Sequence, residues 1–503
     1  MRGRIAAAVI ALGLAAPAQA AWQQASSRHF VIYGNDDPRR LSEFAGRLEK
    51  FDAAVRKLRD MNDPPVGDGN RVAVFIVPNQ NAVVRLVSQA PNRSWVAGFY
   101  KGRAEGSIAV VPRVLETGRD SMTSNVVLFH EYAHHLMLAD TESALPPWLI
   151  EGFAEFMSTA TIEKDGGVQF GWAPQFRANA LGVGILRLPV MLGGDYRKLG
   201  GLEMNQLYGS SWLLTHYLTF EPTRRGQLVK YTQLYAKGVE PMAVAAQAFG
   251  DLNVLRKGLE AYLAKPKLNG YKIAAVAIGE PRIEVAALSP GAAAVMEDRI
   301  QSRVGVDAKT AGPIAIRMAA AAARFPGDLF VQRALAEAEV DAHHFDAAGA
   351  AADRALKIDS RDVESLLLKG RAVMAGSAPD RMAAARKWFM AANAIDPEGP
   401  EPLMMFYRTY VQGGARPTAN AIAALHYASD LAPQDVGLRM NSAIQYLRDG
   451  KLKEGRARLA SVAYNPHGGE AAKMAREVMT RLDALDAAGA MALLDAKAED
   501  GKK

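Results

Sequence analysis

The segment His130-Glu131-Tyr132-Ala133-His134 places two histidines four residues apart in a chain of 503 residues. On a helix, residues four apart project from one face, so both imidazoles can bind one metal ion. Glu131 would then lie beside a water on that ion, where a carboxylate can act as a general base. Apolar residues flank the segment on both sides, which predicts a buried helix whose polar side chains need partners. The pattern therefore favours a metal-dependent hydrolytic site over a surface helix with solvated histidines.

A second segment, Trp148 to Glu155, supplies a third candidate ligand. Glu151 follows His134 by seventeen residues, and on a following helix it could complete a metal site with His130. Two imidazoles and one carboxylate with an open position suit zinc, although related divalent ions can bind the same ligands. Glu155 lies one helical turn beyond Glu151, so both carboxylates are expected on one side of that helix.

The two segments together resemble the gluzincin metallopeptidases, the superfamily of thermolysin and the aminopeptidase-N-like enzymes, and in particular the bacterial peptidase MA-like group. The resemblance lies in an HExxH sequence followed by Trp-Leu-x-Glu-Gly-x-Ala, and it covers roughly residues 29–263. It implies an α+β, zincin-like catalytic domain with a small mixed sheet and a helical lobe, holding one Zn²⁺ ion. It also implies that Glu151 is the third zinc ligand and that Glu155 braces a ligand histidine.

A third segment, residues 207–218, resembles the helix of the aminopeptidase-like enzymes that opens with a tyrosine. The resemblance implies that the hydroxyl of Tyr208 stabilises the oxyanion, which needs a hydrogen-bond donor opposite the attacking water. Two other interpretations remain: Tyr208 is an ordinary core tyrosine, or His216, two turns further on, has the oxyanion role.

These roles predict hydrolysis of peptide bonds by a zinc-activated water, with Glu131 taking the water proton and passing it to the leaving amine. Two other functions fit the sequence: a non-catalytic envelope scaffold with a metalloprotease-like fold, and a zinc amidase acting on cell-wall peptides. The intact base and ligands favour the two catalytic interpretations. The chain has no Gly-Ala-Met-Glu-Asn segment of the kind that aminopeptidase-like enzymes carry, which favours an endopeptidase.

Residues 1–20 predict a secretory signal peptide. Arg2 and Arg4 precede a twelve-residue apolar stretch, and Ala18-Gln19-Ala20 is a cleavage site of small residues. Twelve apolar residues are too few to span a bilayer. The chain has no cysteine, which excludes disulfides and thiolate metal ligands. We therefore expect an exported protein of the Gram-negative periplasm, whose metal is held by histidine and carboxylate.

The charge and the composition narrow the class of protein further. The net charge of +7 includes Arg2 and Arg4, so without the signal peptide it falls to +5, too weak for nucleic-acid binding. With 49% hydrophobic residues the chain can bury sizeable cores, and its length fits two or three domains.

Hydrophobic patterning predicts the elements that position the site. Period-two patterns predict strands, and apolar residues at helical spacing predict helices. The expected elements are a strand at 28–33, a helix at 38–58, a buried strand at 71–77, a hairpin of 96–100 with 107–111, and the metal helix at 121–138. Strand 107–111 is the candidate edge strand that pairs with substrate, with an ordinary core strand as the alternative. The metallopeptidase domain is thus expected over residues 21–265.

The second half of the chain is alanine-rich and repeats. Residues 266–308 form a connector with two strand-like runs, at 273–278 and 283–287. From about 309 to 490, helix pairs end near Pro326, Ser360, Pro397, Pro433 and Pro466, at intervals of 34, 37, 36 and 33 residues. That period resembles tetratricopeptide repeats, which implies an all-α solenoid.

A solenoid of about four such units presents a concave surface. Surfaces of this kind bind peptides or proteins, which predicts that the repeats recruit substrates or partners; the alternative is a helical buttress for the first domain. The last residues, 491–503, are expected to be a disordered charged tail.

Overall fold

The computed structural model of the protein describes residues 22–87, 98–113, 123–140, 144–196, 198–465 and 469–500. The predicted signal peptide lies outside these residues. Among the described helices, none combines the length and the apolar character needed to cross a bilayer.

Nine short strands among the described residues form two sheets. They are β1 Gln23–Ser26, β2 Phe30–Gly34, β3 Val72–Val77, β4 Phe99–Lys101, β5 Ile108–Pro112, β6 Thr161–Ile162, β7 Val168–Phe170, β8 Tyr271–Ile273 and β9 Glu284–Ala287. The larger sheet has the order β4-β5-β3-β2-β1-β9, and the smaller has the order β6-β7-β8. The larger sheet is mixed, because β2, β3 and β5 run parallel while β4, β1 and β9 run antiparallel to their neighbours.

The first half of the chain also contains eleven α-helices among the described residues. They are α1 Pro38–Arg59, α2 Gln80–Val87, α3 Ser124–Asp140, α4 Pro147–Ser158, α5 Ala178–Val183, α6 Leu188–Gly193, α7 Gly201–Phe220, α8 Gln227–Ala236, α9 Pro241–Phe249, α10 Leu252–Leu263 and α11 Ala275–Ile278. Local sequence explains where α1 starts and ends: Asp37 accepts hydrogen bonds from Arg39 and Arg40 at its N-terminus, and Asp60 ends it in a left-handed conformation.

Twelve further described helices pack as successive antiparallel pairs. They are α12 Pro290–Val304, α13 Ala311–Arg324, α14 Leu329–Asp341, α15 Phe345–Ile358, α16 Val363–Ala375, α17 Arg381–Ile395, α18 Pro400–Gln412, α19 Ala419–Leu431, α20 Val436–Arg448, α21 Leu452–Ala463, α22 Gly469–Asp483 and α23 Ala487–Asp500. Helices α13, α15, α17 and α19 each end directly before a predicted repeat boundary. The boundary at Pro466 lies outside the described residues. The second half is therefore a helical solenoid.

The alternation of side chains along the central strands divides the large sheet between two cores. Val74 and Ile76 of β3 pack in one apolar cluster with α1, α3 and α4, whereas Phe75 and Val77 pack in another with α12, α13 and α14. Successive residues of a strand point to opposite faces, so the sheet is covered on one face by the first half of the chain and on the other by the solenoid. The buried, continuously apolar strands follow from this two-sided packing.

The segment 266–308 is part of this architecture rather than a separate connector. Strand β9 pairs with β1 at the end of the large sheet, and β8 pairs with β7 in the small one. Of the predicted strand at 273–278 only its first residue is in a strand, since Ala275–Ile278 forms α11. The helix pairs begin with α12, before the expected boundary at 309.

Two further expectations are corrected by the structure. Strand β5 is not an edge strand, because it pairs with β3 on one side and with β4 on the other. Among the strands that the structure describes, β4 is at this edge of the sheet. Residues 491–500 are not a disordered tail, because they belong to helix α23, whose apolar residues Ala490 and Leu494 are buried.

A buried cluster of charged side chains joins α1 to α3. His29 is 2.7 Å from Glu49 through Nδ1 and 3.0 Å from Asp63 through Nε2. Tyr132, inside the HExxH segment, donates a hydrogen bond of 2.8 Å to Asp52 on α1. Because buried polar groups are costly without partners, this cluster fixes the rotation of the helix that carries the two histidines.

The cluster predicts how stability depends on pH. Burial alone would lower the pKa of His29, but the hydrogen bond to Glu49 and the charge of Asp52 outweigh it and raise that pKa above 6.5. The stabilisation is then complete below pH 6.5 and is lost as the pH rises through the folded-state pKa. We expect the free energy of unfolding of the wild type to exceed that of His29→Gln most at low pH. Urea unfolding between about pH 5.5 and 8.5 measures this difference. A difference that is constant or grows with pH would contradict the assignment.

Candidate metal centre

Helices α3 and α4 bring three ligating side chains together. The Nε2 atoms of His130 and His134 are 3.2 Å apart, and Oε2 of Glu151 is 3.4 Å from the first and 3.5 Å from the second. All three side chains are buried or nearly so. Among the described residues they are the one group of three or more such side chains that could hold a metal ion.

The triangle has the size that zinc requires. Zinc binds imidazole nitrogen and carboxylate oxygen at about 2.0–2.2 Å, and a tetrahedron with that radius has edges of about 3.3–3.6 Å. The three distances between ligand atoms, 3.2, 3.4 and 3.5 Å, match those edges within 0.1 Å. Three ligands leave a tetrahedral ion one further position, which a water or a substrate atom could take.

Two carboxylates, those of Glu151 and Glu155, lie next to the imidazole of His130. Burial alone would lower the pKa of this imidazole, but hydrogen bonds to Glu151 and Glu155 raise it to about 10. The same carboxylates would favour a divalent cation beside the ring, since a buried carboxylate is stabilised by positive charge.

Glu155 lies next to His130, on the side of the ring that carries Nδ1. Its Oε1 is 3.3 Å from Nδ1 of His130, and its carboxylate accepts two hydrogen bonds from Arg177, at 2.7 and 3.2 Å. Burial raises the pKa of Glu155, but His130 and Arg177 outweigh it and lower that pKa, so the group is a carboxylate. A carboxylate on Nδ1 fixes the tautomer and orientation of the ring, leaving Nε2 for the metal.

Arg177 was not predicted from the sequence. It follows Glu155 by twenty-two residues, in a short turn before α5, and no local pattern marks it. Its guanidinium also donates to Asn205 at 2.8 Å and lies 4.7 Å from the ring centroid of Tyr208. Arg177 therefore links the brace of His130 to the helix that carries Tyr208.

Replacement of Arg177 with methionine tests this link. Glu155 would keep only His130 as a charged partner, and breaking a buried pair costs about 3–5 kcal/mol of stability. Weakening a side chain that orients a ligand also lowers metal affinity by about 10- to 100-fold. Urea unfolding and a zinc titration measure the two effects, with the exposed Arg187→Met as the matched control. Stability and zinc affinity equal to those of the control would contradict the assigned role.

The close packing of α4 against α7 explains why a glycine, Gly152, follows Glu151. A Cβ atom at this position would lie 2.3 Å from Oγ1 of Thr215 and 2.4 Å from the carbonyl oxygen of Ser211, both on α7. Helices α4 and α7 thus touch backbone to backbone at the level of Glu151, and only glycine permits this approach. The close contact brings Tyr208, about one turn before Ser211 on α7, towards Glu151 and His130.

Tyr208 lies beside the centre and His216 does not. The ring centroid of Tyr208 is 6.0 Å from that of His130. Burial, followed by the charge of Glu151, raises the pKa of Tyr208, so its hydroxyl stays a hydrogen-bond donor at neutral pH. His216 instead lies 2.9 Å from the hydroxyl of Tyr262 and within 3.1 Å of the backbone oxygens of Gly171 and Asn269. Those contacts make His216 part of the core.

Glu131 follows His130 directly on α3. Its charge raises the pKa values of two tyrosines, Tyr100 on β4 and Tyr208 on α7, although burial has the largest effect on each. A carboxylate next to the first histidine of the pair is the candidate general base for a water bound at the centre.

An apolar cavity of about 1050 Å³ lies close to the centre along the sequence of three helices, although His130, His134 and Glu151 do not line it themselves. Its lining residues include Val126, one helical turn before His130 on α3, Thr159, one turn after Glu155 at the end of α4, and Trp212, one turn after Tyr208 on α7. Phe176 and Leu181 line it as well. The cavity can hold a large apolar side chain.

Comparison with known proteins adds no further assignment. No protein-family model matches the chain, and no curated protein matches it at a significant level. The interpretation of the centre therefore rests on its residues and their geometry.

Proposed function

We propose that the chain is a zinc-dependent hydrolase of peptide bonds, related to the gluzincins of the peptidase MA-like group and built on a zincin-like catalytic domain. The observation that carries the proposal is the triangle of His130, His134 and Glu151, with edges of 3.2, 3.4 and 3.5 Å and one open corner. Zinc held there would supply a Lewis acid and an activated water.

The residues around the triangle supply the remaining chemistry of amide hydrolysis. Glu131 is the general base, which takes a proton from the attacking water and returns it to the leaving amine. Tyr208 keeps its proton because burial and the charge of Glu151 raise its pKa, so it can donate a hydrogen bond to the oxyanion. Glu155 and Arg177 hold His130 in the orientation that metal binding needs.

The surroundings of the centre favour a peptide with an apolar side chain. The cavity lined by Val126, Thr159 and Trp212, each one helical turn from a residue of the centre or its surroundings, is lined mainly by apolar and aromatic residues. A peptide bound at the open corner could place an apolar side chain in this cavity. We therefore propose cleavage next to a large apolar residue, within an extended peptide.

The site of action is proposed from the sequence alone. Residues 1–20 have the charged start, apolar stretch and cleavage site of a signal peptide, and the chain lacks cysteine. We propose that the protein is exported to the periplasm of a Gram-negative cell.

The test of the proposed function is proteolysis paired with metal analysis. The purified protein should contain about one zinc ion per chain and should cleave an unstructured protein such as casein, and a chelator should abolish the cleavage. Readdition of zinc should restore it. Stoichiometric zinc with cleavage of cell-wall peptides alone would favour the amidase, and stoichiometric zinc without any hydrolysis would favour the scaffold.

A further inference from the structure

The loop between β4 and β5, residues 102–107, lies inside the solenoid. Every second helix of the solenoid contributes to one shared surface, which we call the concave face. These helices are α12, α14, α16, α18 and α20. Side chains of all five line one cavity of about 490 Å³, and Gly102, Arg103 and Glu105 of the loop line the same cavity. The surface of the solenoid that would be expected to bind a partner is thus in contact with the chain's own loop.

Two hydrogen bonds hold the loop at the start of α20. The backbone N–H of Ala104 donates to Oδ2 of Asp435 at 2.8 Å, and Nε2 of Gln434 donates to Oγ of Ser107 at 3.2 Å. Ala104 and Ser107 are fully buried. Ala104 also belongs to the apolar cluster of the solenoid, with Leu425 and Leu438. The loop is therefore packed as a core element of the solenoid.

Glu105 of the loop also contacts two arginines of the concave face. The carboxylate of Glu105 is 3.3 Å from Arg371, which also contacts Glu401 at 2.6 Å. Arg303 donates to the backbone oxygen of Glu105 at 3.3 Å. Partly buried ions need opposite charges nearby, so the pairing of Glu105 with Arg371 stabilises the loop against the concave face.

Gly102 of the loop packs closely against Gln434, which precedes α20. A Cβ atom there would lie 2.9 Å from Cγ of Gln434 and 3.0 Å from its backbone oxygen. The loop therefore approaches the solenoid at a distance that only glycine allows at this position.

The held loop continues directly into the edge strand β4. The hydroxyl of Tyr100, on β4, is 2.7 Å from Nδ1 of His135, which adjoins the metal ligand His134 on α3. Within the described part of the chain β4 is at the edge of the large sheet, with a neighbouring strand on one side only, and an extended peptide can pair with such an edge. A continuous path of contacts thus runs from the solenoid through the hairpin to the metal helix.

We propose that the solenoid positions the edge of the substrate cleft, with Asp435 and Gln434 as the positioning residues that hold the β4–β5 hairpin. This inference rests on the proposed function, since it assigns β4 to the binding of the peptide substrate. A three-residue strand joined to the sheet on one side has few interactions of its own, so contacts at its loop decide how long it stays in place.

The test is amide hydrogen exchange of Asp435→Asn. Oδ1 of Asp435 caps α20 by accepting from the N–H of Leu438, and Oδ2 accepts from Ala104. Asparagine keeps one oxygen for the cap and loses the second acceptor, so the variant weakens the hold on the loop selectively. Thr418→Ala, which removes the cap of α19 without touching the hairpin, is the matched control.

We expect exchange in residues 98–107 to become roughly 10- to 100-fold faster in Asp435→Asn, because a hydrogen bond to a buried carboxylate is lost. Zinc content should be unchanged, and Thr418→Ala should exchange like the wild type in this segment. For a peptide long enough to pair with β4, KM should rise about tenfold while kcat stays within about twofold.

Two results would overturn the inference. Exchange of 98–107 equal to that of the wild type would show that Asp435 does not hold the hairpin. Faster exchange with an unchanged KM would show that the hairpin does not bind substrate. Failure of the proposed function is distinguishable, since the wild type would then cleave no peptide while the exchange measurement remains readable.

Discussion

Replacement of Glu131 with glutamine is expected to abolish peptide cleavage while leaving about one zinc ion bound per chain. Glutamine has nearly the same shape and can still accept a hydrogen bond, but at neutral pH it cannot take a proton from water. General acid–base groups contribute roughly 10²- to 10⁴-fold to a rate, and this group is proposed to act twice in each turnover. Cleavage of a fluorogenic peptide, with zinc measured by mass spectrometry in the same sample, reports both quantities.

The control for this variant is Glu470→Gln, an exposed glutamate in the first turn of α22. It should keep both its zinc and its activity. Substantial cleavage by Glu131→Gln would remove Glu131 as the base, and loss of zinc would instead give this residue a role in metal binding.

Replacement of His134 or Glu151 with alanine is expected to reduce bound zinc from about one ion per chain to a small fraction. Each variant leaves two of the three ligands, and a four-coordinate ion would then take two more water ligands in a buried site. Metal that binds only the folded state also stabilises it, so added zinc should raise the unfolding temperature of the wild type and not of the variants. Mass spectrometry and thermal unfolding with and without zinc measure the two effects.

His344→Ala serves as the matched control, because His344 lies in the solenoid and has an exposed side chain paired with Glu339. It should bind zinc as the wild type does. If His134→Ala and Glu151→Ala both retained the full zinc content, the three-residue centre would be wrong.

The local parts of the site could be predicted from the sequence. The spacing of His130 and His134 fixes both on one face of α3, and the proline-initiated α4 presents Glu151 and Glu155 one turn apart. Short-range geometry determines these relations, so a single sequence is enough. The repeat boundaries could also be predicted from the sequence, because each helix pair repeats the same pattern of small and apolar residues.

Relations between distant segments could not be predicted in this way. Arg177 meets Glu155 across a turn whose path no periodic pattern determines. The sequence predicts β5 as an edge strand, and this prediction is wrong, because strand order depends on which strands pair and β4 is only three residues long. The approach of Ala104 to Asp435 joins residues 331 positions apart, and nothing local marks either as a partner of the other.

The structure also changes what the solenoid is expected to do. A concave face suggested recruitment of partners, but this face holds the loop 102–107 and the first solenoid helices cover one side of the sheet. The alternative in which the helices support the first domain is thereby favoured. Partner binding would have to use another surface, or to displace a loop that is hydrogen-bonded and charge-paired at several points.

The most direct test of the metal centre is zinc K-edge X-ray absorption of the purified wild type. The geometry predicts one zinc ion with two imidazole nitrogens and one carboxylate oxygen at about 2.0–2.2 Å, together with one further light atom. The signal should disappear in Glu151→Ala. Absence of bound zinc, or an ion surrounded by waters with no imidazole scattering, would contradict the account.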